Sequence, residues 1–279
     1  MAELKPLKSG YYIWTYLPSQ PAAAIFAILF IVSSLAHVWF LVQRRTWFCI
    51  VLTIGCIMEA LGFAIRIQCY NNTDKLMPYI IQNLFILLAP ILFAATIYMT
   101  LSRVIRSVPD GESCSMITPR KLTRVFVTGD ILSLLIQGNS TPLTIIANGK
   151  YAKYSNYVVM LGLLLQLVMF AIFGITAMVF HKRYSRRSSL ASNGLWRKQI
   201  HMLYAVSILI MIRSVYRMIE YSTGTTGYVM THEWFLYVFD ATLMWIVTIV
   251  FLIYYPSQLS AKMADPDDSE YISLDPRKP

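Results

Sequence analysis

Apolar residues in this chain gather into runs of about 20, the length that carries a helix across roughly 30 Å of hydrocarbon at 1.5 Å per residue. The runs read as helices at about 21–43, 47–67, 78–101, 125–147, 156–180, 199–221 and 232–255. In lipid a backbone must satisfy its own hydrogen bonds, so such segments form helices, and seven of them imply an all-α, polytopic seven-transmembrane-helix bundle. Composition agrees: 57% of the 279 residues are hydrophobic and 14% are charged, against roughly 45–50% and 25% in ordinary soluble domains. The apolar run near the N-terminus is too long for the core of a cleaved signal peptide and begins too late.

The formal net charge of +10 would suggest nucleic acid in a soluble protein. Here the basic residues sit in the connections and are lopsided. One side of the membrane receives Arg44, Arg45, Arg103, Arg106, Arg120, Lys121, Arg124, Lys182, Arg183, Arg186, Arg187, Arg197 and Lys198; the other receives Lys5, Lys8, Lys75, Lys150 and Lys153. The positive-inside rule then places the N-terminus outside and the C-terminus in the cytosol, with the bilayer and not nucleic acid as partner. The chain divides into an extracellular segment (1–20), a seven-helix domain (21–255) and a polar, acidic, disordered cytosolic tail (256–279). Tyr11, Tyr12, Trp14 and Tyr16 suit the headgroup layer. The sequon Asn71-Asn72-Thr73 falls in an outer loop, which makes Asn71 a glycosylation candidate.

An ionisable side chain at the bilayer centre costs about 2.5 to 3.5 kcal/mol on insertion scales, so each one calls for an explanation. The second helix carries Glu59 and Arg66, the fourth Asp130 and Gln137, the sixth Arg213, Arg217 and Glu220, and the seventh Glu233 and Asp240. Glu59/Arg66, Asp130/Gln137, Arg213/Glu220 and Glu233/Asp240 are each seven apart, nearly two helical turns, so every one of these helices bears one polar stripe. Four stripes facing lipid are prohibitive together; they should converge on the interior or on a wet cavity that takes an amphipathic molecule by its polar head. By depth along their helices, Glu59 is expected to pair with Arg213, and Arg66 with Glu220. Gln82, Gln166, Pro90 and Pro142 add polar groups or kinks, since proline frees a backbone carbonyl for a neighbour. Asp130 and His37 lie toward the cytosolic side.

Several classes are disfavoured. The chain lacks a G-x-x-x-x-G-K-[ST] phosphate loop, an H-E-x-x-H metal motif and a lysine in the last helix for a retinal Schiff base. No nucleophile and base constellation is visible, so no enzymatic activity, cofactor or metal is expected. The third helix ends Leu101-Ser102-Arg103 and the seventh Tyr254-Tyr255-Pro256-Ser257, unlike rhodopsin-type receptors.

The chain resembles the fungal RTA-like family, lipid-translocating exporters named for resistance to aminocholesterol. The resemblance spans nearly the whole chain. It rests on Tyr16-x-Pro18, Glu59-x-x-Gly62-x-x-x-Arg66, Pro78-Tyr79-Ile80-Ile81-Gln82, Leu88-Ala89-Pro90-x-x-x-Ala94-Ala95-x-x-Tyr98, Phe126-Val127-Thr128-Gly129-Asp130-Ile131-x-Ser133, Gln137-Gly138, Arg213-x-x-Tyr216-Arg217-x-x-Glu220, and Glu233 with Asp240. The resemblance implies a fungal protein of the plasma membrane, or of endoplasmic reticulum or vacuole, that exports or translocates sphingoid-base-like lipids or toxic amphiphiles and confers resistance. The alternative is a seven-helix receptor or regulator that senses such ligands without transport. The residues implied in binding or translocation are Glu59, Arg66, Gln82, Asp130, Gln137, Arg213, Tyr216, Arg217, Glu220, Glu233 and Asp240.

Overall fold

The computed structural model describes residues 14, 16–71, 73–108, 111–138, 152–187, 194–223 and 227–256. All regular structure among them is helical. The long helices are α1 (Gln20–Arg44), α2 (Ile50–Cys69), α3 (Leu76–Ser107), α4 (Pro119–Gly138), α5 (Ala152–Arg187), α6 (Gly194–Ser222) and α7 (Trp234–Ile253). Six of them, all but α4, are long and apolar enough to cross a membrane. Charged residues at the start of α4 hold that helix below the others, and the remainder of the expected fourth span, to 147, lies outside the described residues. So do most of the N-terminal segment and all but the first residue of the tail, together with Pro142.

Helix ends follow local chemistry. Proline occupies the first turn of α1 (Pro21), where its missing N–H would be unpaired in any case. Arg45 closes α1 in the left-handed region at φ 50, the conformation that commonly terminates a helix. A 3₁₀ turn, Trp47–Cys49, then leads into α2. α3, α5 and α6 run past their expected limits, to Ser107, Arg187 and Ser222, because their polar ends continue as regular helix beyond the apolar run.

Each helix packs on its neighbours in sequence, and α7 returns to α1, which closes a ring; α3 also packs on α6 across it. α3 is accordingly the most enclosed, with 67% of its apolar window buried against 33% for α1 and for α5. Close packing of α2 on α3 depends on two glycines seven residues apart. A Cβ on Gly55 would come within 2.6 Å of the Phe93 ring, and one on Gly62 within 2.8 Å of Ile86. Small residues let membrane helices approach and gain the dispersion contacts that replace the hydrophobic effect in lipid. Two aromatic sets fill the rest. Phe26, Phe30, Phe63 and Tyr237 join α1, α2 and α7; Tyr98, Phe126, Phe170 and Phe173 join α3, α4 and α5, with centroids 4.7 to 6.1 Å apart.

Arg44, Arg106 and Arg186 mark one end of the bundle, the basic end. The far end carries residues 16–19, the α2–α3 turn with an exposed Asn71 and a buried Thr73, and the α6–α7 connection.

Candidate functional site

The polar stripes of α2, α6 and α7 converge in the half of the bundle toward the far end, where their side chains are buried and joined to one another. Asp240 is the centre. One of its oxygens accepts from Arg213 Nε and the other from Arg217 Nη2, and it is 1% exposed. Arg217 also donates to Glu220 at 2.9 Å, one turn along α6.

Two backbone irregularities place these groups. Proline at position 90 has no N–H for the carbonyl four residues earlier, and that carbonyl, of Ile86, accepts from Arg213 Nη2 at 3.2 Å. The kink expected at Pro90 thus supplies a polar atom to the site. In α7 the chain widens into a π-helical turn over Tyr237–Ala241 that contains Asp240, and Thr242 Oγ1 bonds back to the Tyr237 carbonyl at 2.8 Å. Such turns insert one residue and re-aim the side chains around them.

Arg66 holds a second cluster nearer the far end. Its guanidinium donates to Glu233 at 2.8 Å and to the Tyr16 hydroxyl at 3.0 Å, and its Nε reaches Tyr237 at 3.3 Å. Its Cζ lies 5.3 Å from the Trp14 ring centroid and 5.8 Å from those of Tyr16 and Tyr237, inside the range of a cation–π contact. The other oxygen of Glu233 accepts from the Ser19 N–H at 2.8 Å, which ties the entry of α1 to the start of α7. Burial pushes the Tyr16 phenol above its ordinary range, so it stays neutral beside the arginine.

Glu59 differs from the rest. It is 1% exposed, and neither carboxylate oxygen has a hydrogen-bond partner among the described residues. The charges that act on it are Asp240, Arg213 and Arg217. In this cluster three arginines are paired with three carboxylates, Asp240, Glu220 and Glu233, and Glu59 is its fourth carboxylate. The set is electrically neutral once one further positive charge, a proton or a cationic group, sits at Glu59.

Both expected pairings are corrected. Arg66 pairs with Glu233 instead of Glu220, and Arg213 with Asp240 instead of Glu59. Depth along a helix fixes height but not neighbours: α2 packs chiefly on α1 and α3, whereas α6 packs on α5, α7 and α3. α7 brings its carboxylates to both arginines first. Tyr216 is buried beside the cluster and stacks on Phe239, centroids 5.6 Å apart. Gln82 is buried on α3 one turn before Ile86, near Gly62.

Asp130 and Gln137 stand apart. Asp130 lies across α3, where one oxygen accepts from Tyr98 at 2.9 Å among the rings of Phe126 and Phe173; the other has no partner among the described residues. Gln137 packs where a Cβ on Gly162 of α5 would fall, 2.7 Å from its Cγ. His37 joins α1 to the Thr248 carbonyl of α7 at 3.2 Å. Trp14, Tyr16 and Tyr237 were not expected at the site. The belt reading of the first two concealed their role, while Glu233-x-x-x-Tyr237 carries a usable signal, the four-residue step that makes helical neighbours.

Comparison with known proteins identifies relatives of the whole chain. Residues 52–263 match the family described as RTA1 like protein. Protein RTA1 of Saccharomyces cerevisiae is 31% identical over 89% of this chain and 86% of its own length. Protoporphyrin uptake protein 1 of the same yeast is 32% identical over 88% of this chain and 92% of its own. The sphingoid long-chain base transporter RSB1, also from that yeast, is 27% identical over 79% of this chain and 67% of its own. No solved structure matches.

Proposed function

Since the chain belongs to the RTA1-like family, we propose that it is a multi-pass translocator of amphipathic lipids, sphingoid-base-like amines above all, and of toxic amphiphiles, and that it confers resistance to them without enzymatic chemistry. Relatives whose names specify a sphingoid-base transporter and a protoporphyrin uptake protein support membrane transport of amphiphiles as the class. α4 is taken as the described part of the expected span at 125–147, which gives a seven-helix bundle. The N-terminus and the far end face outward, where Asn71 is offered for glycosylation, and the basic end faces the cytosol. The proposed location is the plasma membrane, with endoplasmic reticulum or vacuole as the alternative.

Glu59 is the single observation that carries the cargo reading. A buried carboxyl group without a hydrogen-bond donor, beside a network that is already balanced, favours a ligand with one positive charge. A primary ammonium head brings that charge and three donors. Arg213 and Arg217 are already committed to Asp240, so the surplus charge of the set is negative and disfavours anionic heads, while the chain of the amphiphile stays in hydrocarbon.

The test is the purified protein in liposomes with a labelled sphingoid base. The proposal expects transbilayer movement above that of protein-free vesicles, lost in Glu59→Gln and kept for the wild type when the probe is cationic. Binding without movement would favour the sensing alternative, and Glu59→Gln transport equal to wild type would remove Glu59 from the site.

A further inference from the structure

Independently of the charge network, a groove of about 760 Å³ lies between α5 and α6 at the basic end. Its volume falls within the range of roughly 300–1,000 Å³ typical of small-molecule sites. Its walls are graded. Deep in the bundle they are Phe170, Gly174 and Met211; at the mouth stand Lys182, Ser185 and Arg186. From Phe170 to Arg186 the α5 wall runs about 24 Å at 1.5 Å per residue, the scale of one hydrocarbon leaflet and more.

Gly174 is what opens it. A Cβ added there would meet no atom within 4 Å, so the glycine is not required by close packing of backbone on backbone, in contrast to Gly55 and Gly62. His181 Nδ1 lies 3.1 Å from the Tyr204 hydroxyl and bridges the two helices near the mouth. Met178 and Ile208, 54% and 59% exposed, flank a lateral opening toward lipid.

Lysine and arginine near a helix end are commonly topological signals or snorkelling groups. A belt of charge alone does not account for an apolar slot directly beneath it. We infer that this groove binds an anionic phospholipid of the leaflet at the basic end, with an acyl chain laid along Gly174 toward Phe170 and the phosphate held by Lys182, Arg186 and the Ser185 hydroxyl. Charge complementarity selects the occupant: the rim carries two cations and a hydroxyl donor, and anionic lipids concentrate at such clusters.

The experiment is native mass spectrometry of the full chain released from vesicles of equimolar phosphatidylserine and phosphatidylcholine. The wild type should retain phosphatidylserine in preference to phosphatidylcholine. Gly174→Trp, which fills the slot, should lose the retained lipid of either kind. Lys182→Gln with Arg186→Gln, on exposed side chains whose loss leaves the fold intact, should lower phosphatidylserine retention about 10- to 30-fold and leave phosphatidylcholine unchanged. Three results overturn the inference: equal retention of the two lipids by the wild type, phosphatidylserine retention unchanged in the double glutamine variant, or a shift from dimer to monomer in Gly174→Trp, which would give the groove to a second copy of the chain.

Discussion

Replacing Asp240 with asparagine removes the one carboxylate that Arg213 and Arg217 share. Arg217 keeps Glu220 at 2.9 Å, and Arg213 keeps only the Ile86 carbonyl at 3.2 Å. Breaking a buried ion pair from one side costs about 3 to 5 kcal/mol. The surviving partners, with the Glu59 carboxyl as the acidic group left near Arg213 and Arg217, put Asp240→Asn near the lower figure. Glu59→Gln alone nearly keeps the side-chain volume and breaks no hydrogen bond among the described residues, so it should stay within about 1 kcal/mol of wild type. With both changes no carboxylate remains for Arg213. The double variant should therefore lose more than the two single losses together, by at least about 1 kcal/mol of coupling. The assay is unfolding by SDS in mixed micelles followed by far-UV circular dichroism, with four proteins in one cycle. Losses that add to within about 0.5 kcal/mol would refute the reasoning, because independent sites behave that way.

Gly62→Leu should force α2 from α3, since its first side-chain carbon would already be 2.8 Å from Ile86; a loss of about 1 to 3 kcal/mol in the same unfolding assay is expected from overpacking. Arg66→Lys retains the charge but not the planar fork that reaches Glu233, Tyr16 and Tyr237 together; hydrogen exchange at residues 16–19 should rise, while protection in α4 stays unchanged.

Hydrophobic runs made the helices legible because only length and composition decide whether a segment spans. The polar stripes were legible too: a step of seven returns to one helix face whatever the neighbours are, and Glu59, Arg213 and Asp240 do meet in the interior. Their partners were not, because pairing depends on which helices adjoin, and the closed ring with α3 reaching α6 across it leaves no trace in the spacing of charges. The widened turn at Tyr237–Ala241 offset the seven-residue arithmetic between Glu233 and Asp240 as well. The groove was hidden for a further reason. Gly174 and Tyr204 come from separate helices of unremarkable composition, and an opening is a property of the pair.

The π-helical turn also bears on how α7 tolerates changes in length. Above it Glu233 is fastened to Arg66 and Ser19; below it His37 is fastened to the Thr248 carbonyl. Both anchors are on α1, α2 and their approach, so the rotation of α7 is fixed at two levels. Losing one residue elsewhere between them would swing one anchor about 100° away from its partner. Losing the exposed Val238, within the widened turn, would convert that turn into an ordinary one and keep both anchors in phase, so the stretch serves the helix as a slack link between two fixed points.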